Sequence, residues 1–266
     1  MTFDVQDMQA DAQRSSTSDD ADLPVLHLRG ITKCFGGVQA LNGAEFALYR
    51  REIVAIVGDN GAGKSTMVKI ISGVHAPDSG EILMSGHRVT MQSPLRARNL
   101  GIETVFQDLA LVNTTDVVSN LFLGREIARR AFGWVLDKRR MTEQTREILG
   151  RLKVSIPDLH APVGQLSGGQ RQAVAVCRAV TWGTKIVLMD EPTAALGVKE
   201  SRKVLDLILR MKELGISVVI VVHNLEHVFS VADRIVVMRA GRVVDALRRS
   251  ETSREAIVGM ITGAAA

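Results

Sequence analysis

The sequence predicts an α/β protein with a sheet that is covered by helices on both faces. Short β-rich runs alternate with helical patterns along much of the chain. The runs at 53–57, 186–189 and 218–222 are almost wholly apolar, which is typical of strands buried on both faces. Residues 198–213 have the spacing of an amphipathic helix that packs on a sheet. Its predicted apolar face consists of Val204, Leu205, Ile208 and Leu209.

Eight β-rich runs are predicted to be strands. They lie at 25–31, 45–49, 53–57, 81–84, 186–189, 218–222, 234–238 and 242–246. Near the C-terminus, Thr252 and Glu255 have the T-x-x-E spacing of a capping box ahead of the apolar run AIVGMI. We therefore expect one last short helix after the final strand.

The stretch 109–165 differs from the rest because it contains no good strand and has helical spacing at 141–152. We expect a mostly helical insertion there. It would divide the core into a first part at 24–108 and a second part at 166–266. The insertion is rich in basic residues, namely Arg125, Arg129, Arg130, Lys138, Arg139 and Arg140. A solvated helical face is the first interpretation of these charges, and contact with lipid headgroups or with a protein partner is the alternative.

The composition is that of a soluble globular protein, with 46% apolar and 23% charged residues among 266. The longest apolar stretch, 216–222, is far shorter than the roughly 20 residues of a membrane span. The first residues lack a basic and apolar leader, so no secretory signal is expected.

The net charge of +4 is unevenly distributed. Residues 1–23 carry six aspartates and one arginine, and this composition predicts a disordered acidic tail. The rest of the chain is therefore at about +9, a surplus that suits nucleic acid, an anionic membrane surface or a polyphosphate ligand. Charge alone does not choose among the three.

The apolar run 53–57 leads into the segment GDNGAGKST, which fits the pattern G-x-x-x-x-G-K-[ST]. Its residues are Gly58, Asp59, Asn60, Gly61, Ala62, Gly63, Lys64, Ser65 and Thr66. The glycines let successive amide groups point inward, and the loop opens a helix whose N-terminus favours negative charge. We therefore predict a phosphate-binding loop in which Lys64 reaches the β- and γ-phosphates and Ser65 binds Mg²⁺.

The apolar run at 186–189 ends on two adjacent carboxylates, Asp190 and Glu191. Burying either charge without a partner is costly. Beside a phosphate loop, the first carboxylate can bind Mg²⁺ through water, and the second can face the attacking water. Without that loop, a pair of solvated acids at a strand end would be the simpler interpretation.

A third motif is LSGGQRQ, in which Ser167, Gly168 and Gly169 precede a predicted helix at 172–180. The inner face of this helix is predicted to contain Ala173, Val176, Cys177 and Val180. A serine flanked by glycines at a helix N-terminus is again an anion-binding arrangement. Because one nucleotide does not need two phosphate cradles in one subunit, we expect ATP to lie between two copies of the chain.

With these motifs, the sequence resembles the ATP-binding cassette (ABC) ATPases. GDNGAGKST matches their Walker A motif, VLMDE the Walker B motif with its catalytic glutamate, and LSGGQRQ, including Gln170, the signature motif. The resemblance covers about 24–262. It implies a P-loop NTPase core with an antiparallel β subdomain and an inserted helical subdomain.

The resemblance implies three further site residues. Gln107, in TVFQDLA, matches the Q-loop glutamine that touches Mg²⁺ and communicates with the membrane subunit. His223, in VVHN, matches the switch histidine that contacts the γ-phosphate, and Phe35, in TKCFGG, matches the aromatic that stacks on adenine. Taken singly, they could be a loop glutamine, a strand-end histidine and a core aromatic.

Several longer segments resemble the simple-sugar import branch of the family, the ribose, xylose and fructose type. Many members of this branch carry two cassettes in one chain, and this chain resembles the single-cassette, fructose-type members. These segments are GDNGAGKST, QSPLRARNLGIETVFQDLAL, NLFLGRE and DEPTAALGVKES. The resemblance implies a homodimer of ATPase subunits, a separate multi-span permease, a sugar-binding protein and a peripheral location on the cytoplasmic face of the plasma membrane. The apolar edge of 115–122 is predicted either to receive a permease helix or to belong to the local core. No nucleic acid is expected to bind.

The resulting hypothesis is an ATPase that uses ATP and Mg²⁺ to energise sugar uptake. Its metal ligands would be Ser65, Gln107 and Asp190. Its catalytic groups would be Glu191, His223, Lys64 and Gln107. An ABC exporter, or an ABC ATPase that acts on nucleic acid or ribosomes, is the alternative. The chain departs from many ABC ATPases at Gly197, where they carry an aspartate in a loop that crosses the dimer interface.

Overall fold

The computed structural model describes residues 23–129, 132–194 and 196–264 of the chain. The predicted acidic tail, apart from Leu23, lies outside the described residues, and so does Arg130 of the basic group. Among the helices of the described ranges, none is long and apolar enough to cross a membrane.

A six-stranded sheet forms the centre of the molecule, in the order β12-β11-β3-β10-β9-β6. Its strands are β3 (Ile53–Val57), β6 (Ile102–Val105), β9 (Ile186–Asp190), β10 (Ser217–Val221), β11 (Arg234–Arg239) and β12 (Arg242–Arg248). The first five are parallel to one another, and β12 pairs antiparallel with β11 at the edge. The carboxyl ends of the parallel strands therefore share one edge of the sheet, where ligands bind in α/β folds.

This sheet separates two hydrophobic cores. Every residue of β3 and β10 is buried, as the apolar runs predicted. Along β3, Val54 and Ile56 pack into one core, whereas Ile53, Ala55 and Val57 pack into the other. Because successive side chains of a strand point to opposite faces, a strand buried on both faces has to be apolar throughout.

A second, four-stranded antiparallel sheet has the order β2-β1-β4-β5, which confirms the antiparallel subdomain implied by the resemblance. Its strands are β1 (Leu26–Phe35), β2 (Val38–Leu48), β4 (Ser79–Met84) and β5 (His87–Val89). It shares the core that contains Val54 and Ile56. The sheet thus lies beside the loop that follows β3.

Eight α-helices lie within the described residues. They are α1 (Lys64–Ile71), α2 (Pro94–Asn99), α3 (Val117–Phe122), α4 (Lys138–Arg151), α5 (Gly168–Val180), α6 (Val198–Glu213), α7 (Leu225–Val231) and α8 (Arg254–Thr262). The helix predicted at 198–213 is confirmed as α6, and it buries Val204, Leu205 and Ile208. Leu209 does not belong to the buried face, because its side chain is exposed.

The expectation of a strandless insertion is wrong. Between α3 and α4 the chain forms a short hairpin of β7 (Ala128–Arg129) and β8 (Phe132–Leu136). Arg125, just before the hairpin, was predicted to be solvated. It is instead partly buried and donates a 2.8 Å hydrogen bond to Glu103. Its guanidinium also lies 5.3 Å from the centre of the Trp182 ring.

The apolar edge predicted at 115–122 belongs to the core. Val117, Val118, Leu121 and Phe122 are all buried in α3, where they join the core that contains Ile53 and Ala55. The interpretation of this edge as a docking surface for a permease helix is therefore wrong, and the interpretation as local core is confirmed.

The last helix begins one residue later than the capping box predicted. The N-cap of α8 is Ser253, whose hydroxyl accepts a hydrogen bond from the backbone of Ala256. Thr252 is extended and lies before the helix. Ser and Thr are both good N-caps, so the sequence alone does not decide between these neighbours.

Candidate active site

The phosphate loop connects β3 to α1 and depends on two of its glycines. Gly58 has φ of 153°, and a Cβ added there would lie 2.2 Å from the carbonyl oxygen of Met238. Gly63, the N-cap of α1, has φ of 100°, and its Cβ would lie 2.6 Å from the carbonyl oxygen of Ala40. Both positions combine a left-handed backbone with a close approach of another chain segment, so only glycine fits.

Lys64 is the first residue of α1 and is only 6% exposed. Its ammonium donates hydrogen bonds to the carbonyl oxygens of Gly58, at 2.7 Å, and Asp59, at 2.8 Å. Burial lowers the pKa of Lys64, and the charges of Glu191, Asp59 and Asp190 partly offset this effect. A buried cation that is held by neutral carbonyls inside a glycine loop fits an anionic ligand such as a phosphate chain.

Asp190 ends β9 beside this loop. Burial raises the pKa of Asp190, and the neighbouring Glu191 charge raises it further. A hydrogen bond from Ser65 and the charges of Lys69 and Lys64 oppose that rise in the pKa. Ser65 therefore lies next to Asp190, and their hydroxyl and carboxylate oxygens are ligand types that Mg²⁺ prefers.

Glu191 has an unusual backbone and a histidine partner. Its φ of 52° is in the left-handed region, which is strained for a residue other than glycine. Its amide donates to the carbonyl oxygen of Val221, at 2.9 Å, and this bond ties the end of β9 to β10. Its Oε1 accepts a 2.8 Å hydrogen bond from Nε2 of His223. Two predicted site residues that are 32 positions apart therefore meet at the carboxyl edge of the sheet.

Gln107 lies at the same edge. It follows β6, whose last residue, Val105, pairs with Met189 next to Asp190. Its side chain is exposed. The structure therefore places Gln107 on the side of the sheet where Asp190 and Glu191 lie, in the loop that leads to the insertion.

Phe35 is not a core residue. It ends β1 with 43% of its surface exposed. Its ring packs edge-to-face on His75, with 5.1 Å between ring centres, and Lys33 lies 5.6 Å from the ring centre. The interpretation as a core aromatic is wrong, and an exposed ring next to a cation fits a surface where a planar group stacks.

The signature segment, Ser167–Gln170, begins α5 rather than preceding it. The helix starts at Gly168 and not at 172 as predicted, because Ser167 is the N-cap. Ser167 and Gln170 form a reciprocal capping box, with bonds of 3.3 and 3.0 Å between side chain and backbone. Of the predicted inner face, Val176 and Cys177 are buried, whereas Ala173 and Val180 are partly buried against the same core.

The two predicted phosphate-binding segments of one chain, the phosphate loop and the signature segment, lie at different parts of the sheet. The phosphate loop follows β3, whereas α5 packs on β6 at the edge. Two strands, β10 and β9, lie between β3 and β6, so the separation along the sheet is three strand spacings, or about 14 Å. The signature segment therefore does not close on the phosphate loop of its own chain.

Arg178, in α5, was missed by the sequence reasoning. Its guanidinium donates to the carbonyl oxygens of Ala110, at 2.8 Å, and Leu109, at 2.9 Å. Burial lowers its pKa, and Ala110 has a left-handed φ of 49°. The signature helix is thereby bonded to the segment that follows Gln107. The sequence signal for it is that Arg178 is the one arginine in the otherwise apolar stretch 173–180 of this helix.

The glycine loop between a buried strand and a helix, at the carboxyl edge of a parallel sheet, defines a P-loop nucleotide-binding protein. Residues 41–194 match the ABC transporter family, and residues 158–260 match the P-loop domain of ABC ATPases. The chain therefore belongs to the ABC transporter family and is one of its ATP-binding, ATP-hydrolysing cassettes.

Several proteins that are similar to this chain are named as ATP-binding proteins of sugar import. The chain is 47% identical to the xylose/arabinose import ATP-binding protein XylG of Sulfolobus acidocaldarius, over 90% of this chain and 94% of that protein. It is 48% identical to the fructose import ATP-binding protein FrcA of Rhizobium meliloti, over 91% and 95%. The ribose import ATP-binding protein RbsA 1 of Rubrobacter xylanophilus is 42% identical over 90% of this chain, which spans 47% of that longer protein.

Solved structures of cassettes share the fold. An ATP-binding cassette of an ABC transporter in its ADP conformation aligns with a TM-score of 0.77 and 27% identity, over 90% of this chain and 95% of the other. A dimeric bacterial ABC transporter cassette aligns with a TM-score of 0.71 and 26% identity, over 84% and 98%.

Proposed function

We propose that this chain is the ATP-hydrolysing subunit of an importer for a simple sugar. The observation that carries the mechanism is the separation of the signature segment from the phosphate loop of the same chain by two strands of the sheet. The assignment of the cargo rests on the xylose, arabinose, fructose and ribose import names of the similar proteins.

The phosphate chain of ATP would lie in the loop 58–66, with Lys64 donating to it in place of its present carbonyl partners. Ser65, Asp190 and Gln107 would hold Mg²⁺, which neutralises charge on the phosphates when it is bound. Phe35 would stack on the adenine.

Glu191 would accept a proton from the attacking water, since its carboxylate lies beside the phosphate loop and contributes to the electrostatic field at Lys64. His223 donates to this carboxylate and holds it in place. When a γ-phosphate is present, the same Nε2 proton and the Lys64 ammonium can donate to it, where charge develops during hydrolysis. The contact between Glu191 and His223 thus aligns the base with a donor.

The site would be completed by a second copy of the chain. Ser167, Gly168 and Gly169 of one copy would cover the phosphates held by the loop of the other, so that two ATP molecules lie between two cassettes. A homodimer of head-to-tail cassettes satisfies this arrangement. Each chain then contributes half of each site.

The mechanical output would go to a separate multi-span permease. We propose that 24–108 and 166–266 form the ATPase core, and that the loop of Gln107 with the insertion 109–165 faces this permease. The two hydrogen bonds from Arg178 to the carbonyl oxygens of Leu109 and Ala110 connect α5 directly to the segment that follows Gln107. A sugar-binding protein would deliver the cargo from the other side of the membrane, which puts this chain on the cytoplasmic face as a peripheral subunit.

Uptake of labelled sugars by a strain of the source organism that lacks this chain tests the proposal. We expect the strain to lose uptake of at least one of xylose, arabinose, fructose and ribose. The wild-type chain should restore it, and Glu191→Gln should not, because the variant keeps the shape of the site without the base. The exposed variant Glu213→Gln, on α6, serves as the control and should restore uptake. Unchanged uptake of all four sugars in the deletion strain would contradict the sugar assignment.

A further inference from the structure

The two glycines of the signature segment are in contact with the start of α6. A Cβ added at Gly168 would lie 3.0 Å from Cδ2 of Leu196, and a Cβ added at Gly169 would lie 3.1 Å from Cβ of Glu200. At these distances, a side chain at either glycine would require Leu196 or Glu200 to move by a few tenths of an ångström. From the sequence, both glycines were predicted only to help bind an anion. The structure shows that they also contact the side chains of Leu196 and Glu200 in the same chain.

Glu200 contacts two segments at once. Its Cβ and Cγ pack on Gly169, at 3.1 and 3.2 Å from the position of an added Cβ. Its Oε2 lies 2.8 Å from the position of a Cβ on Gly197, the N-cap of α6, which has no side chain to cap the helix. One glutamate side chain thus connects the signature segment with the end of the loop 191–197, which begins at Glu191.

Electrostatics favours this position for a carboxylate. The first turns of α5 and α6 meet at Gly169 and Glu200, so the positive ends of two helix dipoles lie close together. Glu200 is the third residue of α6, the position at which an acidic side chain best offsets an N-terminal dipole. Its carboxylate therefore stabilises the junction of the two helices as well as linking their N-termini.

The link continues to the catalytic carboxylate. Within the described part of the loop, the amide of Ala194 donates to the carbonyl oxygen of Glu191, at 3.0 Å, and the amide of Leu196 to that of Thr193, at 3.4 Å. Thr193 is also hydrogen-bonded to Nδ1 of His227, at 3.1 Å. These bonds link Ala194 to Glu191 and Leu196 to Thr193 within the described part of the loop.

We propose that Glu200 is a positioning residue that couples the two ATP sites. It ties the signature segment, which would cover the nucleotide held by the other copy, to the loop that sets Glu191 of its own site. This inference rests on the proposed arrangement of two copies around two ATP molecules. Closure of one site then positions the base of the other, and hydrolysis becomes cooperative in ATP.

The test compares steady-state ATP hydrolysis by the purified full chain with calorimetric ATP binding. We expect a Hill coefficient of about 2 for the wild type and about 1 for Glu200→Ala, with turnover lowered about fivefold or more. The dissociation constant of ATP should change by less than about twofold, because Glu200 does not contact the phosphate loop. A loss of stability alone would lower turnover by lowering the folded fraction, but it would leave the Hill coefficient unchanged.

Three further variants keep the test decisive. Glu200→Gln keeps the stem on Gly169 and should retain the wild-type Hill coefficient and turnover. Glu200→Asp keeps the charge at the helix N-terminus but shortens the stem, so it should behave like Glu200→Ala even if the alanine variant folds poorly. Glu213→Ala, at the exposed far end of α6, is the matched control and should match the wild type.

The outcomes separate this inference from the proposed function. Wild-type cooperativity and turnover in both Glu200→Ala and Glu200→Asp would overturn the coupling role and leave the ATPase assignment intact. A Hill coefficient of 1 in a wild-type chain with normal turnover would do the same, since there would be no coupling to lose. Absence of ATP hydrolysis by the wild-type chain would instead contradict the proposed function itself.

Discussion

At the scale of single residues, Lys64 is the group on which nucleotide affinity most depends. Its buried ammonium is bonded to two loop carbonyls, which a phosphate can replace at little cost. Lys64→Ala should weaken ATP binding about 10- to 150-fold, because hydrogen bonds to charged groups contribute about 1.5–3 kcal/mol. Isothermal calorimetry measures this directly.

The matched control for Lys64 is Lys138→Ala, at an exposed position in the insertion. Its ATP affinity should equal that of the wild type. An unchanged affinity in Lys64→Ala would remove this lysine from the phosphate site.

The sequence indicates candidate residues for the site but not how the fold holds them. The pattern of glycines, Lys64 and Ser65 was sufficient for the phosphate loop, because the chemistry of phosphate binding restricts those positions narrowly. The left-handed backbone of Glu191 and its hydrogen bond to His223 depend on how β9 and β10 pair, which no local pattern contains. The exposure of Phe35 likewise follows from packing beyond its neighbours in sequence.

At the scale of elements, the helix α5 joins the signature segment to the segment after Gln107 through Arg178. Arg178→Ala removes the half-buried guanidinium, so the carbonyl oxygens of Leu109 and Ala110 each lose a hydrogen-bond donor. We expect a loss of about 1–3 kcal/mol in the free energy of unfolding, measured by urea denaturation. Arg202→Ala, at an exposed position on α6, is the control and should change this free energy by less than about 0.5 kcal/mol. Equal stability of the two variants would show that the Arg178 bonds contribute nothing net.

Strands with a uniform pattern were predictable, and short irregular ones were not. All eight predicted runs overlap strands of the structure, because continuous apolar or β-branched sequence has few other solutions. Four strands were missed: β5, and the three that flank or cross the insertion, β6, β7 and β8. The strand β6 has four residues, of which only the two ends are buried, and β7 has two exposed residues. Runs this short give no clear strand pattern. The missed strand β6 matters, because Gln107 follows it and α5 packs on it.

At the scale of the whole molecule, the sheet decides how the parts of the site can combine. It places the phosphate loop, Asp190, Glu191 and His223 at the carboxyl edge of the sheet, and the signature segment about three strand spacings from the phosphate loop. The sequence predicted two cradles and inferred a second copy from their number. The structure supports that inference independently, because the separation prevents both cradles from enclosing one nucleotide within one chain.

The arrangement of two copies around ATP is the central claim, and light scattering of Glu191→Gln with saturating ATP tests it most directly. Blocking hydrolysis should trap the closed state, so we expect twice the mass of a single chain with ATP and the mass of one chain without it. Ser167→Arg in the Glu191→Gln background should bind ATP yet stay at the mass of one chain. If Glu191→Gln binds ATP by calorimetry but retains the mass of one chain at every protein concentration tested, the account of a shared site is contradicted.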